Sequence, residues 1–135
     1  GFFFRPFYYM KLKEILTSAI IMLALDFVYL GSFKNYFQRV FKNIQGKEIN
    51  LRITGAIICY VIMLIGLNYF IISKKASLKD AFFLGFLVYL VYDSTNYATF
   101  TKWPFKMLML DSVWGGLLFT LTTFGTYKLL KINAK

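Results

Sequence analysis

The chain of 135 residues contains no histidine. That removes His-ligated haem, His-ligated zinc and every Ser-His or Cys-His catalytic arrangement from consideration. Its one cysteine, Cys59, falls in the middle of an apolar run, so it supports neither a disulfide framework nor a cysteine metal site. Charge is scarce too: Asp, Glu, Lys and Arg together make up 16% of residues, and only six are acids. The alternation of polar and apolar residues that marks membrane strands is missing, which argues against a β-barrel. No small-residue cleavage site follows the first apolar run, so that run does not read as a secretory signal.

What the chain has in abundance is hydrocarbon. It is 59% hydrophobic and 21% aromatic, against about 45–50% apolar in an ordinary soluble domain. Four runs reach the ~20 residues that cross a bilayer as a helix, at about 12–31, 53–73, 80–100 and 105–130. The loops between them are short, so sequence neighbours should pack antiparallel. The expectation is an all-α integral membrane four-helix bundle forming a single transmembrane domain over 10–135. Residues 1–9 stand apart. Gly1 is not an initiator, whereas Met10-Lys-Leu-Lys reads as a natural start, leaving 1–9 as a processed end, a tag remnant or an interface segment.

A net charge of +10 would point to nucleic acid in a soluble protein. Here the Lys and Arg flank apolar spans, where they meet anionic headgroups, so the expected partner is the lipid bilayer and not nucleic acid. The connection between the first two spans has a helical period of its own. Phe33, Tyr36, Phe37, Val40, Phe41 and Ile44 share one face, and Lys34, Gln38, Arg39 and Lys42 share the other. This describes an amphipathic helix over about 33–45 lying in the headgroup plane, or packed on a partner, with Gly46 as its stop. Nine Lys and Arg fall on the side of the N-terminus and seven on the other, so positive-inside leans only slightly toward internal termini. A bacterial inner membrane and an organellar inner membrane are equally compatible.

Three aspartates interrupt the apolar spans: Asp26, Asp93 and Asp111. A carboxylate in hydrocarbon costs several kcal/mol unless it is paired, protonated or wet, and by default marks a functional site. The first and third spans end, and the fourth begins, on one side of the membrane. At 1.5 Å per residue all three carboxylates come to lie about 8–10 Å below that surface. The helix faces agree. Tyr89, Tyr92, Asp93 and Asn96 form one polar stripe, Asp26 shares a face with Tyr29, and Asp111 shares one with Trp114 and Gly115. Gly115 and Gly116 permit close helix approach.

Like charges that close need a proton or a cation between them. Arg52 opens the second span at the same surface and is the best internal partner, with Lys102 and Lys106 above. The alternative is that these polar groups act only as interhelical hydrogen-bond glue, worth about 0.6 kcal/mol each. There is also a local echo: Leu25-Asp26-Phe27-Val28-Tyr29-Leu30-Gly31 and Leu110-Asp111-Ser112-Val113-Trp114-Gly115-Gly116 both read L-D-x-V-aromatic-x-G.

The segments over 25–31 (LDFVYLG), 92–98 (YDSTNYA), Trp103 and 111–115 (DSVWG), taken in order, carry a resemblance. They resemble a family of small four-span predicted membrane proteins, domain of unknown function 2177. The likeness runs from about Met10 to Leu130. Tyr29 stands where a tryptophan is common in that family, which keeps an amphipathic aromatic at the position. The resemblance implies that Asp26, Asp93, Asn96, Asp111 and Trp114 occupy the family's signature positions, and it implies no activity.

Three functions fit the residues. The first is a polar site of Asp26, Tyr29, Arg52, Tyr89, Tyr92, Asp93, Asn96, Asp111 and Trp114 that binds or passes a cation, a proton or a small polar solute. Such a site works as a homo-oligomer, since four spans are few for a transport path. No cofactor is expected, although a hard cation on Asp26, Asp93 and Asp111 would suit an oxygen-only donor set. The second is an accessory or structural subunit of a larger membrane complex, organellar or otherwise. The third is an intramembrane lipid-modifying enzyme that uses the aspartates as acid and base.

Overall fold

The computed structural model describes residues 10–47, 49 and 51–135. The extension over 1–9 lies outside them. The helices are α1 (Leu12–Ser32), α2 (Lys34–Gln45), α3 (Ile53–Leu67), α4 (Leu78–Thr99) and α5 (Phe105–Leu130). Among the described residues there is no strand. α3 continues without a break into a π-helical turn over Asn68–Ile72, where Ser73 N–H reaches back five residues to the Asn68 carbonyl.

The distribution of polarity is that of a membrane protein turned correctly side out. On α1 the buried residues are Glu14, Ser18, Met22, Asp26 and Tyr29, a stripe of mostly polar groups at three- and four-residue spacing. The opposite face exposes Leu12, Leu16, Ile20, Leu23 and Phe27. In water that arrangement would leave a large apolar surface unpaid; in hydrocarbon it is the stable one. α1, α3 with its π-turn, and α5 are each long and apolar enough to cross a membrane. α4 has the length, at 22 residues, but its own polar residues dilute its hydropathy. The four-span count therefore rests on its length and its packing.

Contacts pair residues whose numbers rise on one helix and fall on the other, so neighbours are antiparallel. Tyr29 meets Asp111 and Ile21 meets Gly125 across α1 and α5. Asp26 meets Tyr60 and Ser18 meets Asn68 across α1 and α3. α5 lies between α1 and α4 and is the most buried of the candidate spans. Its seam with α4 is a close one. A Cβ on Gly115 would stand 2.6 Å from the Gly85 carbonyl oxygen, and one on Gly116 would stand 2.5 Å from the Phe82 ring. Only hydrogen at these positions lets the two backbones touch.

The ends of the helices follow local chemistry. α4 starts two residues before the apolar run because the Ser77 hydroxyl accepts the Asp80 N–H at 3.1 Å, an N-cap that hydropathy alone does not reveal. α2 stops at Gly46, which is left-handed at φ 74° and donates its N–H to the Lys42 carbonyl. α1 and α2 are separated by Phe33 alone. That bend turns α2 over the end of the bundle, where Phe37 and Val40 are buried against Tyr29, Trp103 and Met107. Lys34, Arg39 and Lys42 remain exposed on its far side. The opposite end is tied by Tyr127, whose hydroxyl donates to the Ala76 carbonyl at 2.8 Å.

Candidate functional site: a carboxylate pocket under the amphipathic helix

The fold brings the three aspartates to one end of the bundle, directly beneath α2. Asp93 is fully buried, at 0% exposure, and Asp26 and Asp111 are buried at 5% and 7%. Each finds a neutral donor. Asp26 accepts the Trp114 indole N–H at 3.0 Å and the Tyr60 hydroxyl. Asp111 accepts the Tyr29 hydroxyl at 2.5 Å, and Asp93 accepts the Trp103 indole N–H at 3.2 Å. Hydrogen bonds to an ionised group contribute about 1.5–3 kcal/mol each, enough to offset part of the cost of dehydrating a carboxylate.

The echo in the sequence becomes a reciprocal clasp. Asp26 and Tyr29 lie three apart on α1, as Asp111 and Trp114 do on α5. Because the helices run antiparallel, each aromatic donates to the other helix's aspartate. Between the two hydrogen bonds the rings of Tyr29 and Trp114 stack at 4.6 Å with an interplanar angle of 12°. This is the self-complementary pattern of a two-fold contact, made here within one chain.

The third carboxylate breaks the symmetry. Asp93, from α4, is an electrostatic neighbour of the Asp111 carboxyl. Its Oδ2 is buried with no donor among the described residues. Two buried carboxyl groups that interact require a positive charge or a shared proton between them.

The expected basic partner is elsewhere. Arg52 sits exposed at the N-cap of α3 and forms no ion pair with these acids among the described residues. A guanidinium here would have to leave the headgroup layer and lose its hydration, whereas phenols and indoles reach the acids at lower cost. Lys102 is likewise exposed, and Lys106 lies over the Tyr36 ring, 5.4 Å from its centroid. Tyr89 faces inward beneath Gly115. Tyr92 is half exposed and packs its edge on Trp103. Asn96 is half-buried, one turn further along α4 from Tyr92 and Asp93. As a metal site the three acids fare poorly: among the described residues no three His, Cys, Asp or Glu side chains come together to hold a metal ion.

A cavity of about 220 Å³ opens against this cluster. Asp26, Asp111, Tyr29, Tyr89 and Tyr92 line it, with Met107, Leu30 and Ile49. Phe37 and Phe41 of α2 complete the wall. Two participants were not foreseen from sequence. Tyr60 is the one aromatic residue of α3, and the α1–α3 register that aligns Ser18 with Asn68 also aligns Asp26 with Tyr60. Trp103 lies in the loop between α4 and α5, and its spacing of ten from Asp93 carries no helical period.

A helical bundle with an apolar exterior and carboxylates, amides and hydroxyls inside is an integral membrane protein. The chain belongs to the family of predicted membrane proteins designated DUF2177, whose model matches residues 11–128. No curated protein and no solved structure matches it.

Proposed function

We propose that this protein binds a small cation in the carboxylate pocket beneath α2, near one face of the membrane. The observation that carries the reading is the complete burial of Asp93, an electrostatic neighbour of Asp111, with no hydrogen-bond partner for its Oδ2 among the described residues. No Lys or Arg among the described residues forms an ion pair there. A bound cation or a shared proton supplies what the described residues do not, and the cation is the reading taken here. Placement under an amphipathic helix, and not at mid-bilayer, favours exchange with the headgroup region on that side. Passage across the membrane would need a second access route, which a homo-oligomer could supply.

The test is thermal unfolding of the full chain in mild detergent at constant ionic strength, across chloride salts of sodium, potassium, calcium and tetramethylammonium. A ligand that binds the native state stabilises it by RT ln(1 + [L]/Kd). At least one cation should raise the midpoint of the wild type and leave Asp93→Asn unmoved. Equal responses of the two proteins, or none from either, would reject the reading.

A second reading, the accessory subunit of a larger complex, is favoured by α3. Before Asn68 its main neighbour is α1, and Ile53, Ile57, Ile58, Val61, Ile62 and Ile65 all point outward. A stoichiometric protein partner retained through purification from the native membrane would support it. A homogeneous homo-oligomer would speak against it.

A further inference from the structure

We infer that the cation taken by this pocket is a small organic ammonium, not a bare metal ion. This rests on the cation reading above and names its ligand class. The free oxygen atoms are too few for a bare metal ion. Calcium takes six to eight oxygen ligands and magnesium a near-ideal octahedron. Here both oxygens of Asp26 and one of Asp111 are already engaged by Trp114, Tyr60 and Tyr29. Helical hydrogen bonding occupies the backbone carbonyls of the surrounding spans, so they cannot complete a coordination shell.

The rest of the wall is aromatic. Tyr29, Tyr89, Tyr92, Phe37 and Phe41 are five aromatic residues lining one cavity that Asp26 and Asp111 also line. Ring faces attract ammonium groups through their quadrupoles, and aromatic cages are a recurring solution for quaternary and alkylated nitrogen. An inorganic ion would have to shed its water against these rings. An ammonium bearing methyl or short alkyl groups brings its own apolar shell, and its charge can still face the acids.

Two further observations point to a ligand. Asp93, an electrostatic neighbour of the cavity-lining Asp111, is wholly buried and its Oδ2 has no hydrogen-bond partner among the described residues. Tyr89 lines the same cavity, and its hydroxyl makes no hydrogen bond to the described residues. The size also discriminates. About 220 Å³ is below the ~300 Å³ at which drug-sized sites begin. It holds on the order of seven water-sized groups at about 30 Å³ each, which suits an amine of a few carbons.

The molecule carries its own reporter. Its two tryptophans, Trp103 and Trp114, both donate to site carboxylates. Intrinsic emission of the full chain in mild detergent is titrated with tetramethylammonium chloride and propylammonium chloride. Sodium, potassium and calcium chlorides at matched ionic strength are the inorganic arm, and tert-butanol is the uncharged shape control. The expected result is a saturable change with the organic ammonium ions alone. Tyr92→Leu, at a half-exposed position that folding tolerates, should weaken it about tenfold, the equivalent of 1.4 kcal/mol for one lost ring contact. Saturation by an inorganic ion with none from either ammonium overturns this inference and leaves a cation site standing. An equal response to tert-butanol overturns it as well, since the cavity would then be merely apolar. Silence from every cation removes both the inference and the reading beneath it.

Discussion

The phenol of Tyr29 and the indole of Trp114 stack at 4.6 Å, and each donates across the stack to the aspartate on the other's helix. The two D-x-x-aromatic motifs are therefore one structural unit. They hold α1 against α5 at the level where the third acid enters, and they fix which carboxylate oxygens are already satisfied. What remains unsatisfied is on the α4 side, at Asp93.

The clasp should be cooperative. Trp114→Phe keeps the ring and removes the donor, leaving a buried Asp26 oxygen unpaired, and Tyr29→Phe does the same to Asp111. Each should cost about 1–3 kcal/mol in unfolding experiments in detergent. Because the donors share one stack, the double variant should depart from additivity by at least about 0.5 kcal/mol. Simple addition would mean that the two halves act independently.

The α4–α5 seam should tolerate nothing larger than hydrogen. Gly85→Ala would drive its methyl into the Gly115 carbonyl, a backbone group that cannot step aside. A loss of about 1–3 kcal/mol is expected, as for other overpacked positions. Gly66→Ala on α3 meets nothing within 4 Å. It should be neutral or stabilising by up to about 1 kcal/mol through helix propensity. Thermal midpoints of the two variants, compared side by side, check the contrast.

Arg52 should prove dispensable to the pocket. It is exposed and forms no ion pair with the acids among the described residues, so Arg52→Gln should change stability by less than about 0.5 kcal/mol. Tyr60→Phe should cost about 1–3 kcal/mol by removing a donor from buried Asp26. The reverse order of effects would restore the guanidinium as the partner.

Much of this was legible in the residues. Hydrocarbon runs and turn residues gave the long helices, and the rise per residue put three aspartates at one depth before any side chain was placed. The echo of Leu25–Gly31 in Leu110–Gly116 was visible as a pattern but not as a contact, because reciprocity depends on the antiparallel register of α1 and α5. Tyr60 was hidden for a similar reason, since its role comes from a pairing across helices. The choice of Arg52 failed on desolvation. Sequence proximity to the right surface favoured it, but a guanidinium is held by headgroups and water, while neutral phenols and indoles enter the bundle freely. The role of Trp103 needed the loop path after α4, which no periodicity encodes.

The most direct test of the account is the unfolding midpoint of Asp93→Asn in detergent with no added cation. An asparagine there keeps an acceptor for Trp103 and offers Asp111 a hydrogen-bond donor in place of a second carboxylate. The variant should therefore be at least as stable as the wild type, and more so by about 1 kcal/mol if the like-charge contact is relieved. A midpoint well below the wild type would mean that the Asp93 carboxylate is a structural anchor and that no site awaits a cation.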